Sequence, residues 1–489
     1  MTETRNAMSR RGLLSGIGAG AGAVGLGISS AHAAVLPTPQ TRQAFDVVVI
    51  GTGMAGCAAA LEAVSRNARV AIVEKSPENR AGGNSALAGG YFAMPTEDTQ
   101  QAREAYIEDF VAKGLGRGNR EVYGLMAERI RADVDWLAQN KVQFAAQGTM
   151  PPYRVVTAMT APGPYMGMPR ALRAMRERIA EKGGRFFFET KARQLIMNDR
   201  AAVSGVRVVG QDGIVDLVAK SVVITAGGYA GNSQMLEGYS DPNAGALMVR
   251  GIPWATGDGL IMAQEAGAGL RGLGGMTALH VAAVDPVETA AGNPFSALPY
   301  CLAVNADGKR FIDESKGYVA HGKAVLGQPG QRATLIFDEK IKALPGTAAS
   351  WGTFSRLGIK TFEADSLEAL ARLVGIPESA LVSTVREFNA AVSNETAKSA
   401  SPAKAALAHR IETPKFYAFH PLAPGVTLTF GGIMINGRAQ ALEADGRVIP
   451  GLFAAGEGAG AVFFDDYIGG GSLANCLVMG RIAGREAAA

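Results

Sequence analysis

Hydrophobic and polar positions follow three patterns along this chain, and each predicts a different kind of element. The first is a short unbroken apolar run closed by glycine. Ala44–Ile50 (AFDVVVI) ends at Gly51, and Arg69–Val73 (RVAIV) follows a stretch of helical composition, Ala58–Ala68. Such β-branched runs read as strands buried on both faces, and the order strand, glycine turn, helix, strand is the βαβ unit of a doubly wound parallel sheet. Val222–Thr225 before Ala226-Gly227-Gly228, and Leu452–Ala455 before Gly456, repeat the strand-then-glycine pattern. The second pattern places apolar residues three and four apart, as in Val122, Leu125, Met126, Ile130, Val134 and Leu137, and predicts two amphipathic helices within 101–142. Pro169–Lys182 predicts another helix, leading into Gly184–Thr190 and further strands through Val206–Val209. From about Met276 the third pattern takes over: irregular segments, short strands and two helix-like pieces, Ser366–Leu373 and Glu378–Val392. Glycine clusters return beyond Pro424. The expected architecture is α/β, with a Rossmann-like dinucleotide-binding domain in two parts (44–275 and 424–489) around an inserted α+β capping domain (276–423).

Composition narrows the function. Glycine numbers 63 of 489 residues, about 13% against a usual share of about 7%. With no G-X-Y period, this suits a backbone that approaches a ligand closely at several places. The net charge of +4, with no basic run interleaved with aromatics, argues against a nucleic-acid partner. Cys57, Cys301 and Cys476 are far apart and odd in number, and the five histidines are scattered, so neither a disulfide framework nor a metal site is expected. No C-x-x-C-H haem attachment occurs. Residues 1–33 read as an export signal: Ser9-Arg10-Arg11-Gly12-Leu13-Leu14 is a twin-arginine run, a Gly/Ala-rich stretch follows, and Ala31-His32-Ala33 is a cleavage signal. The mature protein is thus expected in the periplasm. No other run has the roughly 18–20 apolar residues of a spanning helix, so no stable membrane anchor is expected.

The candidate chemistry begins at Gly51-x-Gly53-x-x-Gly56, between a strand and a helix. The first glycine permits the turn, the second lets the backbone reach a pyrophosphate, and the third lets helix and strand pack closely. Glu74, at the end of the second strand, is placed to accept from a ribose diol. Two further clusters favour FAD over NAD. Ala81-Gly-Gly-Asn84-Ser85-Ala-Leu-Ala88-Gly-Gly90 suits backbone packing along a flavin, and Gly456-Glu457 sets a carboxylate at a strand-to-helix turn, facing a ribityl hydroxyl.

Together with Thr225-Ala-Gly-Gly228, Thr256-Gly-Asp-Gly259 and Gly480-Arg-Ile-Ala-Gly484, these motifs resemble the fumarate reductase/succinate dehydrogenase flavoprotein superfamily, which includes the 3-ketosteroid dehydrogenases. The resemblance covers nearly all of residues 44–489. It implies FAD held by Gly51, Gly53, Met54, Ala55, Gly56, Glu74, Lys75, Gly83, Asn84, Ser85, Gly89, Gly90, Ala192, Ala226, Gly227, Gly228, Asp258, Gly456, Glu457, Gly471, Ser472 and Leu473. Non-covalent attachment is expected, since no histidine lies around Asn84–Ala88.

At three positions where the fumarate reductases bind or protonate a dicarboxylate, this chain departs. Tyr318 stands five residues after Asp313-Glu314 begins, Thr427 follows Pro424-Gly425-Val426, and Tyr467 replaces an arginine before Gly469-Gly470-Gly471. The paired tyrosines look like the 3-ketosteroid dehydrogenase branch. That resemblance implies Tyr318 as proton abstractor, with the Tyr467 hydroxyl and Gly471 N–H polarising a ketone oxygen while hydride passes to flavin N5. A base role would need the Tyr318 pKa depressed from about 10, or a relay partner. Tyr153 and Tyr165 are both candidates for a third, supporting tyrosine. His280 reads equally as a ligand contact or as packing. Arg250 and His420 read as structural, and Arg310 as an ion-pairing loop residue.

The reaction expected is α,β-dehydrogenation of a 3-oxosteroid or cyclic ketone, the electrons passing to an unidentified acceptor. The alternative is a fumarate reductase-like or tricarballylate dehydrogenase-like enzyme acting on an acid. The segment Pro424–Phe430 is similar to the latter, but no replacement cationic clamp is evident in the sequence. A flavin-binding module without turnover of its own is a third reading.

Overall fold

The structure, a computed structural model, describes residues 38–149, 153–160, 164–289 and 292–489. The export signal expected over 1–33 lies outside the described residues.

Five parallel strands in the order Val448–Ala454, Ser221–Ile224, Val47–Ile50, Val70–Val73 and Arg185–Phe187 form the central sheet, with Gln440–Leu442 antiparallel at one edge. The helix Met54–Val64 is buried along its whole length, which its sequence MAGCAAALEAV permits because small residues let neighbouring backbone approach. Its partner is the C-terminal helix Gly471–Ala487. A Cβ at Gly480 or Gly484 would stand 2.5 or 2.2 Å from the backbone of Ala55 or Ala59, so both positions exclude every residue but glycine. These two helices therefore pack almost backbone to backbone, and both begin at the cofactor end of the sheet.

A second sheet has the order Val287–Glu288, Thr277–Val284, Phe416–Thr429, Ala333–Asp338 and Leu302–Val304, with Met248–Val249 and Thr361–Ala364 also paired to the long strand Phe416–Thr429. The apolar side chains divide into two cores. One gathers residues from Val47 to Leu279 and from Val426 to Ala487; the other runs from Val281 to Leu422. Phe416–Thr429 belongs to both and ties them together. This long strand and the helices Tyr318–Leu326 and Pro345–Arg356 are not among the short strands and two helix-like pieces that the sequence pattern predicts beyond Met276. Among the described residues, no helix is long and apolar enough to cross a membrane, and no cluster of His, Cys, Asp and Glu could hold a metal.

Candidate active site

A cleft of about 1810 Å³, counted out to its open mouth, runs from the glycine turn after Ile50 to the edge of the second sheet. Its lining runs unbroken from the glycine turns of the first sheet to Asn293, Phe295 and Tyr318, so one cleft holds both a dinucleotide half and a second half. All the sequence-predicted residues line it except Gly56, Gly90, Gly228 and Gly471. Those four serve packing: a Cβ would stand 2.0 Å from Gly51 O at Gly56, 2.2 Å from Thr160 Oγ1 at Gly90, 2.0 Å from Thr429 Oγ1 at Gly228, and 2.5 Å from the Phe110 ring at Gly471.

The dinucleotide half fits FAD. At Gly53, Gly83 and Gly227, which line the cleft, a Cβ would meet no protein atom nearer than 3.4 Å, so these glycines leave room there for a ligand to approach the backbone. Ser85 Oγ accepts from Met54 N at 3.0 Å and fixes the start of the first helix. Glu74 accepts from Thr52 N (3.1 Å) and Ser76 N (2.9 Å), which holds its carboxylate at the end of the strand. Asp258 is ion-paired to Lys75 (2.6 Å) and Lys191 (2.9 Å). Burial pushes Asp258 up, but the two lysines outweigh it and hold the carboxyl below its usual range. Asn84 Nδ2 donates to Thr427 O and to Glu457 Oε2, both at 3.1 Å, while its Oδ1 accepts from Ile252 N at 2.8 Å. Glu457 also accepts from Thr429 N at 3.0 Å, and burial raises its pKa above the usual carboxylate value. Seen together, Asn84, Thr427 and Glu457 join the cofactor half to the second sheet.

At the far end, Tyr318 begins the helix Tyr318–Leu326, where Gly317 supplies a φ of 92° that other residues rarely adopt. Tyr318 and Tyr467 both line the cleft, close enough for each to shift the other's ionisation. The charge of an ionised Tyr467 and then burial raise Tyr318 well above an ordinary phenol. Burial raises Tyr467 too, with the neighbouring Tyr318 partly opposing it. The backbone also revises the oxyanion pair: Gly471 N–H donates to Ile468 O at 2.9 Å in the turn before the C-terminal helix and is committed there. Gly469 and Gly470, not Gly471, line the cleft beside Tyr467.

Arg250, read from the sequence as structural, lines the cleft with His280, Thr427, Asn293 and Phe295. Its guanidinium donates to Thr289 O (2.6 Å), Thr427 Oγ1 (3.2 Å) and His280 Nδ1. A guanidinium has no acceptor, so His280 carries its proton on Nε2. Burial and then the Arg250 charge hold His280 well below its ordinary pKa, hence neutral. The His280 ring meets Tyr318 edge-on, with centroids 4.5 Å apart at 89°. The signal that could have found Arg250 is the pairing of Met248–Val249 with Phe416–Thr429, which no local pattern announces. Tyr153 lies beside Lys113 and is absent from the described lining, while the Tyr165 side chain lies outside the described residues. His420 bonds Thr334 at 2.7 Å, and Arg310 joins Glu314 and Lys404 in a buried ion cluster.

Residues 46–473 match the family model for FAD binding domains. A probable fumarate reductase, Ifc3, of Shewanella frigidimarina (strain NCIMB 400) is 31% identical over 454 residues, which cover 91% of this chain and 74% of the relative. The open conformation of a flavocytochrome c3 fumarate reductase superposes with a TM-score of 0.76 at 29% identity, over 91% of this chain and 78% of that one. A 3-ketosteroid-Δ4-(5α)-dehydrogenase from Rhodococcus jostii RHA1, in complex with 4-androstene-3,17-dione, superposes at 0.73 with 24% identity, over 94% and 99%, a likeness of fold. With its glycine cradle and this match over most of its length, the chain belongs to the FAD-binding-domain family and is a FAD-dependent oxidoreductase of the fumarate reductase family.

Proposed function

We propose that this protein interconverts a carbon–carbon single and double bond next to a carbonyl group. The observation that carries this reading is the Tyr318–Tyr467 pair in the cleft, both phenols held protonated. Bound FAD supplies the hydride, or accepts it in the reverse direction. Tyr318, protonated at neutral pH, donates a proton to the carbon α to the carbonyl. Tyr467 donates to the carbonyl oxygen and stabilises the enolate, a contribution of about 3–4 kcal/mol per donor in comparable sites. In this reading residues 276–423 cap the cleft and present Tyr318. Dehydrogenation of a 3-oxosteroid or cyclic ketone is then the reverse of the same chemistry, favoured at alkaline pH.

Arg250 favours a second reading, in which the carbonyl group is a carboxylate. A guanidinium lining the cleft beside His280 and Thr427 is a group that pairs with an acid more strongly than with a ketone. To test both, flavin reduced anaerobically is mixed with cyclohex-2-enone, a 4-ene-3-oxosteroid, acrylate and fumarate, and its reoxidation is followed. Reoxidation by the ketones supports the first reading and reoxidation by acrylate alone the second; no reoxidation by any of them leaves the flavin-binding module. The twin-arginine run supports export of the folded flavoprotein, which fractionation of cells into periplasm and cytoplasm tests.

A further inference from the structure

A second pocket opens elsewhere on the molecule, about 670 Å³ out to its mouth where the cofactor cleft measures about 1810 Å³. Segments 116–118 and 271–272 form it together with Ala461, Phe463 and Phe464, and it shares no lining residue with the cleft. Its size suits a ligand far smaller than a dinucleotide.

The parts of the chain that meet here are tied to one another. Asn119, which caps the helix Arg120–Gln139, donates its N–H to Val462 O at 3.2 Å and its Nδ2 to Gly460 O at 2.9 Å. Tyr123 Oη donates to the same Val462 carbonyl at 2.5 Å. A Cβ at Gly118 would stand 2.0 Å from Tyr123 Oη and 2.7 Å from Val462 O, so this close approach requires glycine. At Gly272, with a φ of 73°, a Cβ would stand 3.0 Å from that of Ala461. Phe463 is buried among Phe110, Tyr123 and Phe430, with ring centres 6.3, 6.4 and 6.1 Å away. Backbone contacts and core packing thus shape the pocket before any ligand arrives.

Its walls are cationic and apolar. Arg117 and Arg271 line it, and no carboxylate does. Among the described residues neither guanidinium has a carboxylate partner. The acids on the adjoining loop are engaged elsewhere: Asp465 pairs with Lys323 at 3.0 Å and Asp466 with Lys113 at 2.6 Å. Arg117 lies over the Phe464 ring, its Cζ 4.0 Å from the ring centre. Stacking occupies the face of a guanidinium and leaves its N–H donors, which lie in the plane, open to an acceptor. One unpaired surface arginine is ordinary. Two on the walls of one pocket repel each other, and an anion between them replaces that repulsion with two charge-assisted contacts. Ala461, Phe463 and Phe464 add an apolar bed that an inorganic ion would not use.

We infer that this pocket is a second ligand site, for a small organic anion: a carboxylate held by Arg117 and Arg271, with its hydrocarbon body against Ala461, Phe463 and Phe464. The site is independent of the chemistry proposed for Tyr318 and Tyr467, which stands whether or not this pocket binds.

The test is calorimetric titration of FAD-loaded protein, at low ionic strength, with benzoate, acetate and inorganic phosphate. Benzoate should bind most tightly of the three, and its affinity should fall as sodium chloride is added. Arg117→Gln and Arg271→Gln change exposed side chains and should melt like the parent. Each should weaken benzoate about tenfold, as loss of one charge-assisted contact does. Arg250→Gln separates this site from the cleft: the benzoate binding that Arg117 and Arg271 support should survive it. Benzoate binding that neither Arg117→Gln nor Arg271→Gln weakens would overturn the inference. So would acetate or phosphate binding as tightly as benzoate, or no benzoate binding at about 10 mM.

Discussion

Tyr318 and Tyr467 line one cleft, and the charge of an ionised Tyr467 opposes ionisation of Tyr318. Burial raises both phenols as well, so both are protonated at neutral pH.

The pH profile follows from that arrangement. Both phenol pKa values lie above 10, so between about pH 6 and 9 the proton donor stays loaded. The rate of double-bond reduction, measured by flavin reoxidation, should be nearly flat across this range. Desaturation of a saturated ketone needs the deprotonated form and should rise with pH throughout it.

Two neighbouring glycines should respond oppositely to the same change. Gly53→Ala adds a methyl that meets nothing nearer than Ser85 Oγ at 3.4 Å, so the FAD-free protein should keep its melting temperature while FAD affinity falls. Gly56→Ala sets a methyl 2.0 Å from Gly51 O and should fail to fold or lose several degrees of stability. Thermal melts with and without FAD distinguish the two.

The helix that presents Tyr318 is anchored by a buried ion cluster. Glu314 is fully buried, accepting from Arg310 at 2.9 and 3.0 Å and from Ala303 N at 2.9 Å, with Lys404 Nζ at 3.5 Å. Glu314→Ala leaves two buried cations without their carboxylate and should destabilise the protein by about 3–5 kcal/mol in denaturant unfolding.

Stability should also fall as the solution is acidified. Burial holds His321 at about 4 and His280 well below its ordinary value, so the unfolded chain takes up these protons first. Between about pH 6.5 and 4 the unfolded state binds more protons than the folded one, and stability drops with falling pH. The fully buried His321 alone should contribute on the order of 2–3 kcal/mol of that loss. A pH series of denaturant midpoints measures it, and His321→Phe should flatten the slope.

Much of the cofactor half was legible because its signals are local. Gly51, Gly53, Gly56 and Glu74 sit within one βαβ unit, and the Gly480–Gly484 motif faces Ala55 and Ala59 as two closely packed helices require. The substrate half is assembled from distant segments, and there local reading gave out. Arg250 looked structural until the pairing of Met248–Val249 with the Phe416–Thr429 strand set it beside Thr427 and His280. The resemblance to the 3-ketosteroid dehydrogenases implied Gly471 N–H as a second donor, yet the turn before the C-terminal helix takes that N–H for Ile468 O. Tyr318 was found from its place after Asp313-Glu314, but the direction of its pKa depends on Tyr467, a partner 149 positions away.

The central claim is that Tyr318 delivers the proton, and a stopped-flow comparison of the parent enzyme with Tyr318→Phe tests it most directly. Both proteins are loaded with FAD, reduced anaerobically and mixed with cyclohex-2-enone. The account predicts equal FAD content and a flavin reoxidation rate lower by roughly 10²–10⁴-fold in the variant. A variant whose flavin reoxidises within twofold of the parent rate would contradict it.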